Sequence, residues 1–467
     1  MVMENKIALI LTIGLATEPS IKRINSLKPE IVYFIHSKKS KENALFIIEE
    51  TGITNYLFKE LDDHESVDDS FIKSRECIKE LKELKYNVIG DFTVGTKPMV
   101  AGLVMACIEE KIDYLYLGES SDDAREDGMG PVKSGFEKTK DQENPYENYA
   151  INEFKRGKEF FDKYQFLAAR ENFSQAEDKL KYSDLKERSK LFIKIVDFYE
   201  SWDKFNDSIK VESQYGKFED IKLNDYLENE ILNEISSNEY LFKYFKEEIS
   251  NFYKQLKLNK KFLDKKISAS EDISKNIPYY LPDLLNNAKR RIDEGKYDDA
   301  VARLYRTLEL IAQLRLNQSR LIDKETLNKN KSFFVIKDSV DKMANKKEKA
   351  ELRDKNIAKY RSANKFMNVD LGSSYALLNT LSRDRTDDFS ESTQKIVGNF
   401  YRVQGVFQKR NTSILAHGLL PINKPIADQL YQLTLKHAIL YSDKIENLMK
   451  FSRFPLFMED NSDDELD

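Results

Sequence analysis

The chain is poor in the residues that build stapled, metal-held or fibrous proteins. Its 467 residues include two cysteines, one tryptophan, four histidines, 16 glycines and 10 prolines. Cys77 and Cys107 have no Cys-x-x-Cys or Cys/His spacing around them, so neither a disulfide framework nor a zinc site is indicated. A reducing, cytoplasmic setting fits that usage. No run approaches the roughly 18–20 apolar residues of a membrane span, and the apolar stretch at 6–13 is too short for a signal peptide and lacks a cleavage pattern. Neither membrane insertion nor secretion is expected. A single charge sign is missing too: 75 Lys and Arg stand against 80 Asp and Glu, for a formal net charge of −5. Such a balance gives no global field to draw in nucleic acid, and any such contact requires a local patch. The turn after the first apolar run, Thr12-Ile13-Gly14-Leu15-Ala16-Thr17, holds one glycine where a dinucleotide fingerprint needs three, and no P-loop occurs, which sets aside NAD binding and nucleoside triphosphate hydrolysis.

What is present is 40% hydrophobic and 33% charged residues on a chain long enough for two or three folded domains. The first 120 residues alternate two periodicities. Short β-branched runs at 6–13, 31–35, 87–92 and 113–117 are separated by helical stretches, which predicts a Rossmann-like parallel sheet. Thr17-Glu18-Pro19, Ser40 with Gly52, and Ser66 with Asp69 carry the matching helix start and stop signals. Between 119 and 147 the text turns acidic and Gly/Ser-rich, as a boundary loop would. From 150 onward the spacing is helical, for example at Phe154, Phe161, Tyr164, Phe166, Ala169, Phe173 and Ala176. The expected domains are 1–148, a Rossmann-like α/β domain; 149–278, a helical insert; 279–456, an all-α domain; and 457–467, an acidic disordered tail. Residues 329–365 hold 12 Lys/Arg and 5 Asp/Glu, a local basic excess able to lie along RNA phosphates or to form a solvated helix face.

Two constellations carry chemistry. In Asp91-Phe92-Thr93-Val94-Gly95-Thr96-Lys97-Pro98-Met99, between a strand and a helix, Gly95 permits close backbone approach, Thr93 and Thr96 offer hydroxyls and Lys97 a charge. The helix N-terminus favours an anion, and a phosphate-bearing ligand is the natural guest. In Arg410-Asn411-Thr412-Ser413-Ile414-Leu415-Ala416-His417-Gly418, Arg410 and His417 are two turns apart at about 3.6 residues per turn, on one helix face and about 10 Å apart. Gly418 reads as the residue past the helix end, which sets His417 at the carbonyl end of the dipole and helps it hold a proton.

Together, at opposite ends of the chain, these motifs resemble those of the CARF–HEPN ribonucleases that accompany type III CRISPR systems. The first is similar to the D-x-T-x-G-T-K-x-M stretch of CARF sensor domains, and Leu11-Thr12-Ile13-Gly14 and Phe34-Ile35-His36-Ser37 fall where those domains carry other ligand-facing turns. The second is similar to the HEPN signature: Arg, a polar residue and, a short stretch later, His. The helical text from Asn287 to Arg306 also looks like the opening of the nuclease half. The resemblance implies a switch in which a cyclic oligoadenylate of four or six adenylates binds across a homodimer of sensor domains and turns on cleavage of single-stranded RNA. Carried onto this sequence, it makes Thr12, Gly14, Ser37, Thr93, Gly95, Thr96, Lys97 and Met99 the activator pocket and Arg410, Asn411 and His417 the catalytic residues. No catalytic cofactor or metal is expected: the RNA 2′-hydroxyl attacks its own 3′ phosphate, His417 moves the proton and Arg410, always protonated, holds the phosphate. DNA, lacking the 2′-hydroxyl, is expected to be inert. Two alternatives remain: a CARF-type sensor whose helical effector does not cut, and a sensor that also degrades its own activator, with Thr12, Thr96 and Lys97 facing the ring phosphates.

Overall fold

The computed structural model describes residues 6–121, 132, 136–212, 217–268, 272–367, 369–411 and 420–458, with the backbone alone at 137, 212, 273 and 403–411. The chain divides into two units, Met1–Asn152 with Lys179–Lys181, and Glu153–Asp178 with Tyr182–Asp467.

The first unit is built on six strands in the order β3-β2-β1-β4-β5-β6: β1 Ile7–Thr12, β2 Ile31–His36, β3 Tyr56–Glu60, β4 Asn87–Asp91, β5 Asp113–Glu119 and β6 Glu137–Gln142. The first five are parallel, and β6 runs antiparallel to β5. This is the expected α/β sheet. Central β1, Ile-Ala-Leu-Ile-Leu-Thr, is apolar nearly throughout because both its faces are covered. Its alternate residues split between two cores: Ala8 and Ile10 pack with Cys77, Leu81, Leu103 and Cys107, whereas Leu9 and Leu11 pack with Ile24, Phe34, Ala44 and Ile47. Helices α1 Glu18–Leu27 and α2 Lys41–Thr51 supply the second core, α3 Val67–Glu83 and α4 Lys97–Glu109 the first. The helix boundaries fall where expected, with Pro19 in the first turn of α1 and Gly52 ending α2 at φ 64°; Ser66 caps α3, accepting from Asp69 N–H (3.2 Å), whereas the Thr17 and Ser40 side chains make no cap bond to α1 and α2. Burial pushes both cysteine thiols up to about 12, so they act as small apolar groups.

Two strands escape the sequence pattern. β3 and β6 are the sheet's edges, and β6, Glu-Lys-Thr-Lys-Asp-Gln, has no apolar residue at all. The stretch 119–147 is therefore not all loop, because its second half pairs with β5 as a charged edge strand.

The second unit is helical as expected, apart from a hairpin, β7 Ser208–Glu212 with β8 Phe218–Lys222, and a two-residue pair of strands at Val335–Ile336 and Phe366–Met367. Helices α5 Ile151–Asp162, α6 Phe166–Lys179, α7 Ser183–Asp203 and α8 Ser250–Lys266 bury the aromatic series seen in the sequence. They are followed by α9 Tyr280–Asp293, α10 Tyr297–Gln318, α11 Leu371–Ser382, α12 Asp388–Asn411, α13 Lys424–Tyr441 and α14 Ile445–Phe451. Buried charges join the two sets. Asp283 on α9 accepts from the Trp202 indole (3.0 Å) and from Lys266 (2.8 Å), all three fully or almost fully buried. Asp203 accepts from Arg290 (2.8 Å), Arg291 (2.5 Å) and Asn287 (2.9 Å). The chain stays packed beyond α14: the Phe457 ring stacks on Phe252 at 4.3 Å, and its N–H donates to Asp162 (2.8 Å). The rest of the acidic tail, from 459, lies outside the described residues. No described helix is long and apolar enough to cross a membrane.

Candidate functional site

In a sheet of order 3-2-1-4-5, crossovers leave in opposite directions on either side of the β1/β4 boundary, and a crevice opens there beyond the strand ends. A cleft of about 820 Å³ lies at this point, lined by the turns after β1, β2 and β4. Its volume is that of a small-molecule site. Of the eight residues expected around a ligand, Gly14, Ser37, Thr93, Gly95, Thr96 and Met99 line it; Thr12 and Lys97 do not.

The geometry shows what each does. A Cβ on Gly14 would stand 3.0 Å from the Gly95 nitrogen, and one on Gly95 would stand 2.9 Å from the Thr12 hydroxyl, where φ is +133°. The two turns therefore touch backbone to backbone, and the close approach that glycine permits is first to the neighbouring turn. Buried Thr12 locks the pair by donating to the Val94 carbonyl, and Asn43 fixes the other side by donating to the Gly14 carbonyl (2.7 Å). Thr93 accepts from Leu117 N–H (2.9 Å), which ties the turn to β5. Its own N–H donates to Asp91 (2.8 Å), whose carboxylate also pairs with buried Arg23. Thr96 caps α4, accepting from Met99 N–H (3.4 Å) while donating to the His64 carbonyl (2.7 Å). Ser37 and Ser40 form a reciprocal capping box. The hydroxyls that mark the motif thus shape the cleft by holding its own loops. Lys97 is exposed at the first position of α4, and the lysine in the lining is Lys39. His64, Glu18 and Tyr116 also line the cleft and were not among the residues expected to face a ligand. Their one signal is position, His64 and Glu18 each lying just before or at a helix start.

In the second unit, Arg410 and Asn411 fall in the last turn of α12, whose side chains there are not described, and His417 lies outside the described residues. The earlier part of α12 is firmly set. Arg315 donates to Thr393 (2.9 Å) and to the Phe389 carbonyl (2.9 Å) and covers the Phe389 ring at 3.9 Å. Further along the helix, Asn399 Nδ2 lies 3.0 Å from His437 Nδ1, and His437 Nε2 lies 2.5 Å from the Tyr375 hydroxyl, which donates to the Leu308 carbonyl (3.0 Å). Tyr375 has one proton to give, so the consistent arrangement is a neutral imidazole donating from Nε2 and accepting at Nδ1. Burial pushes this histidine down to about 3. The chain returns after the undescribed segment where Ile422 N–H donates to Asp298 (3.1 Å) in the first turn of α10.

Comparison with known proteins adds a family. Residues 269–440 match the family model described as the Csm6 HEPN domain. Among solved structures, the chain is similar to Enterococcus italicus Csm6 bound to cyclic hexa-2′-fluoro-hexa-dAMP (12% identity, TM-score 0.49, 96% of this chain and 98% of that one). It also matches Can2 from Sulfobacillus thermosulfidooxidans in complex with cyclic tetra-adenylate (10% identity, TM-score 0.22, 46% of this chain and 75% of that one). No curated protein matches the chain. Residues 269–440 are thus similar to the HEPN domain of Csm6, in a chain whose first unit is an α/β sheet with a cleft at its switch point.

Proposed function

We propose that the chain is a cyclic-oligoadenylate-activated endoribonuclease of type III CRISPR defence, with residues 1–148 as the CARF sensor, 149–278 as a helical insert and 279–456 as the HEPN nuclease. The observation that carries the reading is that the segment matching the Csm6 HEPN model contains Arg410, Asn411 and His417. The cleft at the sheet's switch point supports the sensor half. There Gly14, Ser37, Thr93, Gly95, Thr96 and Met99 form the wall against which a cyclic adenylate lies. Lys39 takes the place expected of Lys97 as the charge facing its phosphates, and Thr12 acts as a positioning residue through the Gly95 turn.

In the nuclease half, His417 takes the proton of the RNA 2′-hydroxyl or gives one to the leaving 5′-oxygen. Its ordinary pKa, about 6.5, suits either task. Arg410 holds the phosphate and its developing charge, and Asn411 orients substrate. The products are a 2′,3′-cyclic phosphate and a 5′-hydroxyl, formed without a metal ion. One chain supplies one such histidine, and a homodimer brings two together; a symmetric ring suits the same two-fold arrangement.

The test is cleavage of a fluorogenic single-stranded RNA by wild type and His417→Ala, each without activator and with cyclic tetra- or hexa-adenylate, in the presence of EDTA. Wild type cuts with one ring size and His417→Ala loses roughly 10²–10⁴-fold, while the corresponding DNA stays intact. A folded wild type that cuts under no activator moves the reading to a sensor with a non-catalytic helical effector.

A further inference from the structure

The basic excess at 329–365 is not evenly neutralised. Three of its five carboxylates are already engaged. Glu348 accepts from Asn345 N–H (2.8 Å) at a helix cap and pairs with Arg385 (3.1 Å). Glu351 pairs with Lys355 and Arg383 (2.9 Å each), which holds its carboxyl down at about 2. Asp341 accepts from the Tyr360 hydroxyl. Lys337, Arg353 and Arg361 line one hollow of about 530 Å³ with Asp341 and Tyr360, and among the described residues none of the three cations is in an ion pair.

They are nonetheless held in place. Lys337 donates to the Ser362 carbonyl (2.7 Å) and lies 5.4 Å from the centre of the Tyr360 ring. Arg361 Nε donates to the Arg353 carbonyl (2.5 Å). The turn between the two arginines is left-handed at three residues with side chains, Asn356, Ala358 and Lys359 (φ 45°, 53° and 55°), a conformation such residues disfavour. Burial of Ile357, Ala358 and Tyr360 keeps it there. A backbone held in this shape sets two exposed guanidinium groups beside an ammonium around one hollow, where three positive charges face a single carboxylate, Asp341, already engaged by Tyr360; the excess of like charge favours an anion. Guanidinium forks match phosphate oxygens.

We propose that Lys337, Arg353 and Arg361 form a phosphate-binding subsite that grips the backbone of single-stranded RNA, made by residues other than the Arg410–His417 signature. It rests on the ribonuclease reading, and it gives that reading a grip on the substrate that does not read sequence.

The test uses the full chain with His417→Ala, so that RNA is bound and not cut. Fluorescence anisotropy follows a labelled 20-nucleotide single-stranded RNA over a series of KCl concentrations. Adding Arg353→Ala/Arg361→Ala weakens binding at low salt at least tenfold and reduces the log–log salt slope by about 1.4, as expected for two lost phosphate contacts on a single strand. Arg353→Lys/Arg361→Lys restores most of the slope and only part of the affinity. Lys346→Ala/Lys349→Ala removes the same charge outside the hollow and changes the slope by less than half as much. Urea midpoints confirm that each variant is folded. An arginine double variant that binds like its parent, or a control pair that lowers the slope equally, overturns the subsite and leaves the RNA reading standing. A parent that binds no RNA at any salt removes the RNA reading and the subsite with it.

Discussion

The two units use buried polar groups in different ways. Around the cleft of the first unit they are mostly small hydroxyls, Thr12 to the Val94 carbonyl, Thr96 to the His64 carbonyl and Ser37 with Ser40, beside one buried ion pair, Arg23 with Asp91. In the second unit they include full charges and a histidine in the core, joining helices 17 to 88 residues apart: Asp283 with Lys266 and Trp202, Asp203 with Arg290 and Arg291, His437 with Tyr375 and Asn399. A buried hydroxyl that loses its partner costs about 1–3 kcal/mol. A buried charge that loses its partner costs far more. Apart from the Arg23–Asp91 pair, the cleft loops of the first unit are therefore held by bonds of modest cost, whereas the helical unit is specified by a few contacts that fail together.

The largest expected effect breaks that comparison at its strong end. Asp283→Ala leaves Lys266 buried with only the more distant Asp207 (3.5 Å) opposite it, and about 3–5 kcal/mol of stability is lost. Urea unfolding followed by Trp202 fluorescence measures it. The double variant Asp283→Leu/Lys266→Met recovers much of the loss, because the unpaired charge is gone. A cost below about 1 kcal/mol for the single variant would mean that these charges are solvated and the contrast between the units is false.

The next effect belongs to the cleft. Gly95→Ala places a methyl 2.9 Å from the Thr12 hydroxyl at φ +133°, and up to about 3 kcal/mol is lost. The strain falls on the turn itself, so cyclic tetra-adenylate or hexa-adenylate binding, read by calorimetry, suffers more than the melting of the helical unit. Equal losses in both would show that the units do not respond separately.

His437 sets the third. Its folded pKa, about 3, lies below the unfolded value near 6.5, so the stability it contributes is complete above pH 6.5 and is lost as pH falls toward 3. At pH 5 the loss is about 2 kcal/mol relative to pH 7. Urea midpoints at the two pH values measure it, and His437→Gln, which keeps polar atoms beside Tyr375 and Asn399 without a titrating ring, removes that part of the acid sensitivity. An unchanged pH dependence in the variant would mean that His437 is solvated and can be protonated in the folded state.

The same contrast explains what could be read from sequence. Central strands β1, β2, β4 and β5, the helix starts after Thr17 and Ser40 and the Ser66 cap were legible because periodicity and capping are local, although the Thr17 and Ser40 side chains make no cap bond to α1 and α2. Edge strands β3 and β6 were not, since neither is buried like the central strands, and β6 carries charges suited to an unpaired edge. The cleft's position was legible from the Gly14 and Gly95 turns, and six of its lining residues from the family resemblance that also pointed to the Ser37 turn. The jobs of Thr12, Thr93 and Thr96 were not, because whether a hydroxyl faces a ligand or a neighbouring carbonyl depends on turns up to 82 residues away. The core ion pairs were beyond reach for the same reason: Asp203 meets Arg290 across 87 residues with no motif to announce it.

The smallest expected effect sharpens that point at a single hydroxyl. Thr96→Ala removes the cap of α4 and the bond to the His64 carbonyl together, for about 1 kcal/mol of stability. Thr96→Ser keeps the oxygen that accepts from Met99 N–H and the proton that goes to His64, and should restore stability to within a few tenths of a kcal/mol. If Thr96 works through the loops, affinity for the cyclic adenylate follows stability across the two variants, falling in Thr96→Ala and returning in Thr96→Ser. If its hydroxyl instead leaves His64 to face the ligand, affinity falls in Thr96→Ala by far more than the change in stability accounts for. Thermal melts and ligand titrations on the same preparations separate the two, and the outcome decides whether the motif's hydroxyls recognise the ligand or only shape the cleft around it.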